Sequence, residues 1–240
     1  MEERILSVED ISYRYPGSNW QLFATSFIVN TGEIIGIIGP NGFGKSTLLK
    51  LAAGILAANK GRVFLAGKNI ARIKRREIAK IMGYLSQNAA GHFDYSVHEI
   101  VAMGRFPYLS GPGFLSVLDL RIIKRCLLRA GIEQYQRRLL SQLSGGERQR
   151  VFFASVLAQE PKNLLLDEPT NALDLQYQYQ FFRLITDLVA EGMAVVVVTH
   201  DLTLASFYCS RLLMLKDGSL YKKGTPSQIF RNEKNKRDLW

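Results

Sequence analysis

Apolar and polar residues change their spacing several times along this chain, and the changes divide it into segments of different type. Up to about Asn30 they alternate, with aromatics interspersed, as half-buried antiparallel strands do. Residues 33–38 (EIIGII) form a short β-branched run that breaks into a glycine-rich turn and then a helix-like stretch over residues 45–53. Residues 163–166 (NLLL) and 194–199 (AVVVVT) are short apolar runs flanked by polar residues, and they read as central strands of a parallel sheet. Helical periodicity covers residues 147–159 and 175–190. Strand, crossover helix, strand is an α/β pattern.

Residues 88–145 depart from it. Helical spacing over residues 97–103 and 118–130, no β-branched run and a Gly/Pro-rich break at residues 110–113 predict a helical subdomain inserted into the α/β core. Asp217-Gly218 reads as a turn, and the sequence after it reads as a short, polar, basic tail (residues 231–237). No repeat or low-complexity linker divides the chain, so residues 1–240 are expected to form one unit.

Composition narrows the setting. With 240 residues, 47% hydrophobic and 22% charged, the chain is long enough for one large core or a core with a subdomain. Lys+Arg of 31 against Asp+Glu of 21 leaves +10, which suits nucleic acid, anionic lipid or a phosphorylated ligand without choosing among them. Cys126 and Cys209 lie far apart with no C-x-x-C grouping, as expected of idle thiols in a reducing compartment. The opening MEERILSVED mixes acids with a short apolar stretch and is not a signal peptide. The longest apolar runs fall far short of the ~20 residues of a membrane span. A cytoplasmic chain is expected, with any membrane role carried by a partner.

The chemistry begins at Gly39-Pro40-Asn41-Gly42-Phe43-Gly44-Lys45-Ser46, which fits G-x-x-x-x-G-K-[ST] between a predicted strand and a predicted helix. In that context backbone N–H groups turn inward on a β-phosphate, and the helix N-terminus adds partial positive charge. Lys45 is positioned to reach the β/γ-phosphates, Ser46 to ligate Mg²⁺, and Thr47 next to it joins the nucleotide-binding positions. Composition alone produces such a match in roughly 1 in 100 chains of this size, so the motif needs support from elsewhere. Asp167 and Glu168, which follow the run at 163–166, supply it: a carboxylate at a buried strand end can hold the Mg²⁺ shell, and its neighbour can act as general base on water.

Leu143-Ser144-Gly145-Gly146-Glu147 follows the phosphate loop by about a hundred residues, then LLLDEPT (residues 164–170), then a strand ending in His200. This order resembles the ATP-binding subunits of ABC transporters over nearly the whole chain. The resemblance implies a P-loop ABC-type core with a parallel sheet, an antiparallel β subdomain and a helical subdomain. It implies ATP and Mg²⁺ as cofactors and a homodimer that sandwiches two ATP molecules. In that family an aromatic such as Tyr15 stacks on adenine, with Tyr13 as its rival here. Gln87 matches the glutamine that contacts Mg²⁺ and the attacking water, Asp174 the loop that crosses the dimer interface, and His200 the histidine that touches the γ-phosphate. Ser144, Gly145 and Gly146 open a helix, and in the family that anion site binds the γ-phosphate held by the opposite subunit. Three positions depart from the pattern. Phe43 replaces a small residue and is expected either to crowd the loop or to pack outward. Asn163 replaces an apolar residue and, at the start of its strand, is expected to be half buried. Asn171 stands where many members have Ser. With no catalytic residue missing, an active ATPase is expected.

A single cassette without a fused membrane domain, coiled coil or second P-loop is most like an importer motor. Residues 96–108 (SVHEIVAMGRFPY) resemble the V-x-x-x-V-x-x-G-R-x-P stretch of importers for iron-siderophore, haem, vitamin B12 and related metal chelates, and residues 173–178 (LDLQYQ) resemble the run after their dimer-crossing loop. That likeness implies polytopic permease subunits, a periplasmic or surface substrate-binding protein, and a place on the cytoplasmic face of the cell (inner) membrane, with no nucleic acid. The alternative is an ABC ATPase acting on nucleic acid or another non-transport partner, for which only the net charge speaks.

Overall fold

The computed structural model describes residues 3–87, 95–109 and 114–231, so the predicted break at 110–113, the start of the helical segment and most of the basic tail lie outside the described residues. In chain order the elements are β1 (Arg4–Arg14), β2 (Gln21–Asn30), β3 (Ile34–Ile38), α1 (Lys45–Ala52), β4 (Lys60–Leu65), β5 (Lys68–Asn69), α2 (Arg75–Ala79), β6 (Met82–Leu85), α3 (Val97–Met103), α4 (Val117–Arg129), α5 (Gly145–Leu157), β7 (Asn163–Asp167), α6 (Leu175–Ala190), β8 (Ala194–Val198), α7 (Leu202–Tyr208), β9 (Arg211–Lys216), β10 (Ser219–Gly224) and α8 (Pro226–Phe230).

Two sheets result. The first has the order β2-β1-β4-β5 and is antiparallel, as the alternation before Asn30 predicts. The second has the order β10-β9-β3-β8-β7-β6; its five strands β9 to β6 are parallel, and β10 closes the edge as an antiparallel hairpin with β9. All five residues of β3, β7 and β8 are buried, which explains why they read as continuous apolar runs rather than alternating ones. Ile35, Ile37, Val196 and Val198 face α1 and the antiparallel sheet, while Ile34, Ile38, Val195 and Val197 face the helices that follow. The sheet is therefore filled on both sides, and the carboxyl ends of its central strands share one edge. In such sheets that edge is where ligands bind.

The sequence after Asp217-Gly218 is more than a tail. Both turn residues have positive φ (47° and 73°), the geometry of a tight two-residue hairpin, and the chain returns as β10 and then α8. Exposed Lys and Tyr on this edge strand hide the apolar alternation that would have announced it.

Asn163 also differs from expectation. It is fully buried because β7 is flanked on both sides, with Met82 and Ala194 as its register partners. Neither polar atom of its amide has a hydrogen-bond partner among the described residues. An unsatisfied buried polar group costs about 1–3 kcal/mol. Asn163→Leu, close in volume and without polar atoms, is expected to raise the thermal unfolding midpoint by about 2–6 °C. An unchanged or lower midpoint would show that the amide is satisfied.

The Gly104-Arg105 pair of the importer-like string faces inward. A side chain at Gly104 would run into the carbonyl oxygen of Ser155 on α5. Arg105, only 3% exposed, donates from Nε to Asp119 Oδ1 (2.8 Å) and from Nη1 to the Ala158 carbonyl (2.7 Å) and Glu160 Oε2 (3.0 Å). Its guanidinium lies 4.0 Å from the centre of the Tyr108 ring. The end of α3, the start of α4 and the end of α5 thus meet on one buried cation.

Candidate nucleotide and catalytic site

At the carboxyl end of β3 the chain enters the phosphate loop and then α1. Gly44 precedes the helix with φ 93°, and a Cβ there would lie 2.5 Å from the Trp20 ring, so this position requires glycine twice over. The helices α3 to α7 each begin with a Ser or Asp side chain that accepts from their first turn. Helix α1 has no such cap and no acid in its first turn. Its leading N–H groups and positive dipole end are left for an external anion.

A cleft of about 450 Å³ opens at this point. Asn41, Gly42, Gly44, Lys45, Ser46 and Thr47 form one wall, Tyr15, Ser18 and Trp20 another, and Gln87 and Glu168 a third. Lys45 folds back on the loop, donating to the carbonyl oxygens of Gly39 (2.8 Å) and Pro40 (3.0 Å). Burial lowers its pKa, and the charges of Glu168 and Asp167 pull in the opposite direction. Ser46 Oγ donates to Asp167 Oδ1 at 2.9 Å, across 121 residues of sequence. Burial pushes the Asp167 carboxyl upward, against the hydrogen bond from Ser46.

Glu168 follows β7 with φ 48°, a conformation unfavourable for a side chain with a Cβ. Its N–H donates to the Val198 carbonyl at 3.1 Å, tying the turn to the neighbouring strand. Gln87, just past β6, donates from Nε2 to Glu168 Oε2 at 2.7 Å. Residues far apart in sequence are thus brought into direct contact by the order of the parallel strands.

The two aromatic candidates separate. Tyr15 lines the cleft and shares a hydrogen bond of 3.2 Å between its hydroxyl and Thr47 Oγ1. Tyr13 packs into the core beneath, edge-on to Tyr15. Phe43 points away from the cleft into a separate cavity of about 330 Å³ beside Arg14, Trp20, Phe23 and Asp217, so outward packing is the outcome and the loop is not crowded.

Other predicted residues stand off the cleft. Ser144 caps α5, accepting from the Glu147 N–H (3.3 Å) while Glu147 Oε2 accepts from the Ser144 N–H (2.8 Å). Gly145 and Gly146 lie against Ala172 and Leu173, and Asp174 caps α6 through the Tyr177 N–H (3.1 Å). His200 is exposed beyond β8 and is not part of the cleft wall. Asn171, a mild departure from the family pattern, donates to Glu168 Oε2. Two other neighbours lie outside every motif: Trp20 braces Gly44, and the buried Tyr84 hydroxyl is pushed up in pKa by desolvation and then by the Asp167 charge. A motif fixes local spacing, and these two belong to other segments.

Adjacent oxygens on an octahedral Mg²⁺ with bonds of 2.0–2.1 Å lie about 2.9 Å apart. Ser46 Oγ and Asp167 Oδ1 have that separation, and both are hard oxygen donors, so this part of the site fits Mg²⁺.

Known proteins resemble this chain in sequence and fold. A family model described as ABC transporter matches residues 22–171. The uncharacterized ABC transporter ATP-binding protein YvrA of Bacillus subtilis (strain 168) is 43% identical over 224 residues, 92% of this chain and 50% of that protein, so the chain spans about half that relative's length. The petrobactin import ATP-binding protein FpuC of Bacillus anthracis is 39% identical over 230 residues, 95% of this chain and 84% of that protein. A solved structure described as an inward-facing conformation of a "metal-chelate type" ABC transporter superposes with a TM-score of 0.85 at 31% identity, covering 98% of this chain and 88% of that one. With its uncapped α1, its Ser46–Asp167 pair and its Gln87–Glu168 contact, this chain belongs to the ATP-binding subunits of the ABC transporter family.

Proposed function

We propose that this chain is the ATP-hydrolysing subunit of an importer that takes up a metal chelate. The observation that carries the ATPase part is the convergence of Lys45, Ser46–Asp167 and Gln87–Glu168 on one cleft at the uncapped start of α1. The triphosphate lies on the N–H groups of residues 39–47, with Lys45 against the β/γ-phosphates and the Tyr15 ring on the base. Mg²⁺, when bound, neutralises charge on the β- and γ-phosphates; Ser46 and Asp167, with Gln87 beside them, would hold it. Glu168 accepts the proton of the attacking water, and His200 meets the γ-phosphate from the end of the adjacent strand.

Ser144, Gly145 and Gly146 stand off the chain's own cleft, which supports a site completed by a second copy. Two chains would close on two ATP molecules through these residues and Asp174, and hydrolysis would release them. Residues 88–145 act as the helical subdomain that receives the permease; the exposed Phe106, Val117 and Leu118 on it are suited to an apolar contact. No helix among the described residues is long and apolar enough to cross a membrane, so the place we assign, on the cytoplasmic face, depends on permease subunits, with a binding protein delivering cargo from outside.

The cargo class is supported by the import protein for petrobactin and by the metal-chelate type transporter among the similar proteins. Vesicles holding the cognate permease and this chain should accumulate an iron chelate, haem or cobalamin only with ATP inside. Turnover stimulated by DNA or RNA, with none by permease, would favour the nucleic-acid reading instead.

A further inference from the structure

We propose that Asn171 is a positioning residue for the general base, holding one oxygen of the Glu168 carboxylate so that the other is presented to water. The inference rests on the reading of Glu168 as that base. Asn171 Nδ2 donates to Glu168 Oε2, the same oxygen that accepts from Gln87 Nε2 at 2.7 Å. Among the described residues no donor reaches Oε1. A carboxylate pinned at one oxygen by two amides loses its freedom to rotate about its terminal bond, and its unpinned oxygen keeps its lone pairs for a proton.

The backbone supports the same assignment. The Asn171 N–H lies 3.4 Å from the Glu168 carbonyl, closing a turn of four residues, and Glu168 at its start holds a positive φ of 48°. The turn is secured to β8 by the Glu168 N–H on the Val198 carbonyl. Asn171 is itself exposed and packs into no core, so its side chain is not explained by burial. Gln87 arrives from a different strand, whereas Asn171 is carried on the same turn as the base and moves with it. During the reaction the water oxygen bonds to the γ-phosphorus, its proton goes to Glu168 Oε1, and the bond from phosphorus to the ADP oxygen breaks with its electron pair on ADP. Throughout, Asn171 keeps Oε2 in place.

Asn171→Leu keeps the shape and removes the donor, while Asn171→Ser keeps a shorter donor. Steady-state hydrolysis by the purified chain should show kcat lowered about 10- to 150-fold in Asn171→Leu, the worth of one charge-assisted hydrogen bond. KM for ATP should stay within about twofold, and Asn171→Ser should keep kcat within about threefold of the parent. Asn171→Asp, isosteric but an acceptor facing a carboxylate, should fall below Asn171→Leu. The proposal is overturned if Asn171→Leu turns over like the parent, or if Leu and Ser variants lose kcat and KM together. Glu168→Gln assayed beside them separates the two readings. Full turnover in that variant sinks the base itself, and lost turnover with an unaffected Asn171→Leu sinks only the role of Asn171.

Discussion

Glu168→Gln is expected to lower steady-state ATP hydrolysis by about 10²–10⁴-fold while leaving ATP binding intact. The substitution changes basicity more than geometry. A glutamine carbonyl at the Oε2 position can still accept from Gln87 and Asn171, so the hydrogen bonds that orient the side chain survive. The amide cannot take a proton from water at neutral pH, which removes general-base catalysis alone. Phosphate release and equilibrium ATP binding, measured on the same preparation, test both halves. Turnover near the parent's would remove Glu168 from the mechanism. Lost binding would mean that the side chain holds nucleotide rather than activating water.

Lys45→Ala should act earlier, at binding, lowering ATP affinity by more than about 100-fold through the loss of charge-assisted contacts worth about 1.5–3 kcal/mol each. The structure also bounds the cost to the fold. Lys45 is held by the Gly39 and Pro40 carbonyls, and burial lowers its pKa, so its charge is accommodated by the loop rather than favoured. The variant is therefore expected to unfold at nearly the parent's temperature. Equilibrium binding within about threefold of the parent would show that the backbone cradle alone holds the phosphates.

The parallel core was the most legible part of the fold because its strands are short, continuously apolar runs and its helices are sharply periodic. The strands β3, β7 and β8 fall within a residue of the expected apolar runs, and α6 spans the residues its periodicity marks. Elements whose stability depends on an edge were harder to see. Strand β10 carries Tyr221 and Lys223 toward solvent and is held chiefly by pairing with β9, a contact that no local pattern announces. Burial of Asn163 was hidden for a related reason, since a strand's depth depends on the neighbours it acquires.

The site divides in the same way. Spacing identifies Lys45 and Ser46, and chain order makes Asp167 and Glu168 their partners. The 2.9 Å contact between Ser46 and Asp167 and the Gln87–Glu168 bond then follow from strand order in three dimensions. The outward turn of Phe43 places it at a cavity lined also by Trp20 and Phe23 from another segment, which the residue alone does not announce.

The buried Arg105 joint bears on ancestry. A lineage that alters Arg105 strands Asp119 in the interior, and one that enlarges Gly104 collides with Ser155, so neither residue can drift by itself. The string that resembles a stretch of one class of importers is held in this chain by packing, whatever the cargo. Grafted into a cassette of another class together with Asp119 and Glu160, it should carry over the joint between three helices and none of the choice of cargo.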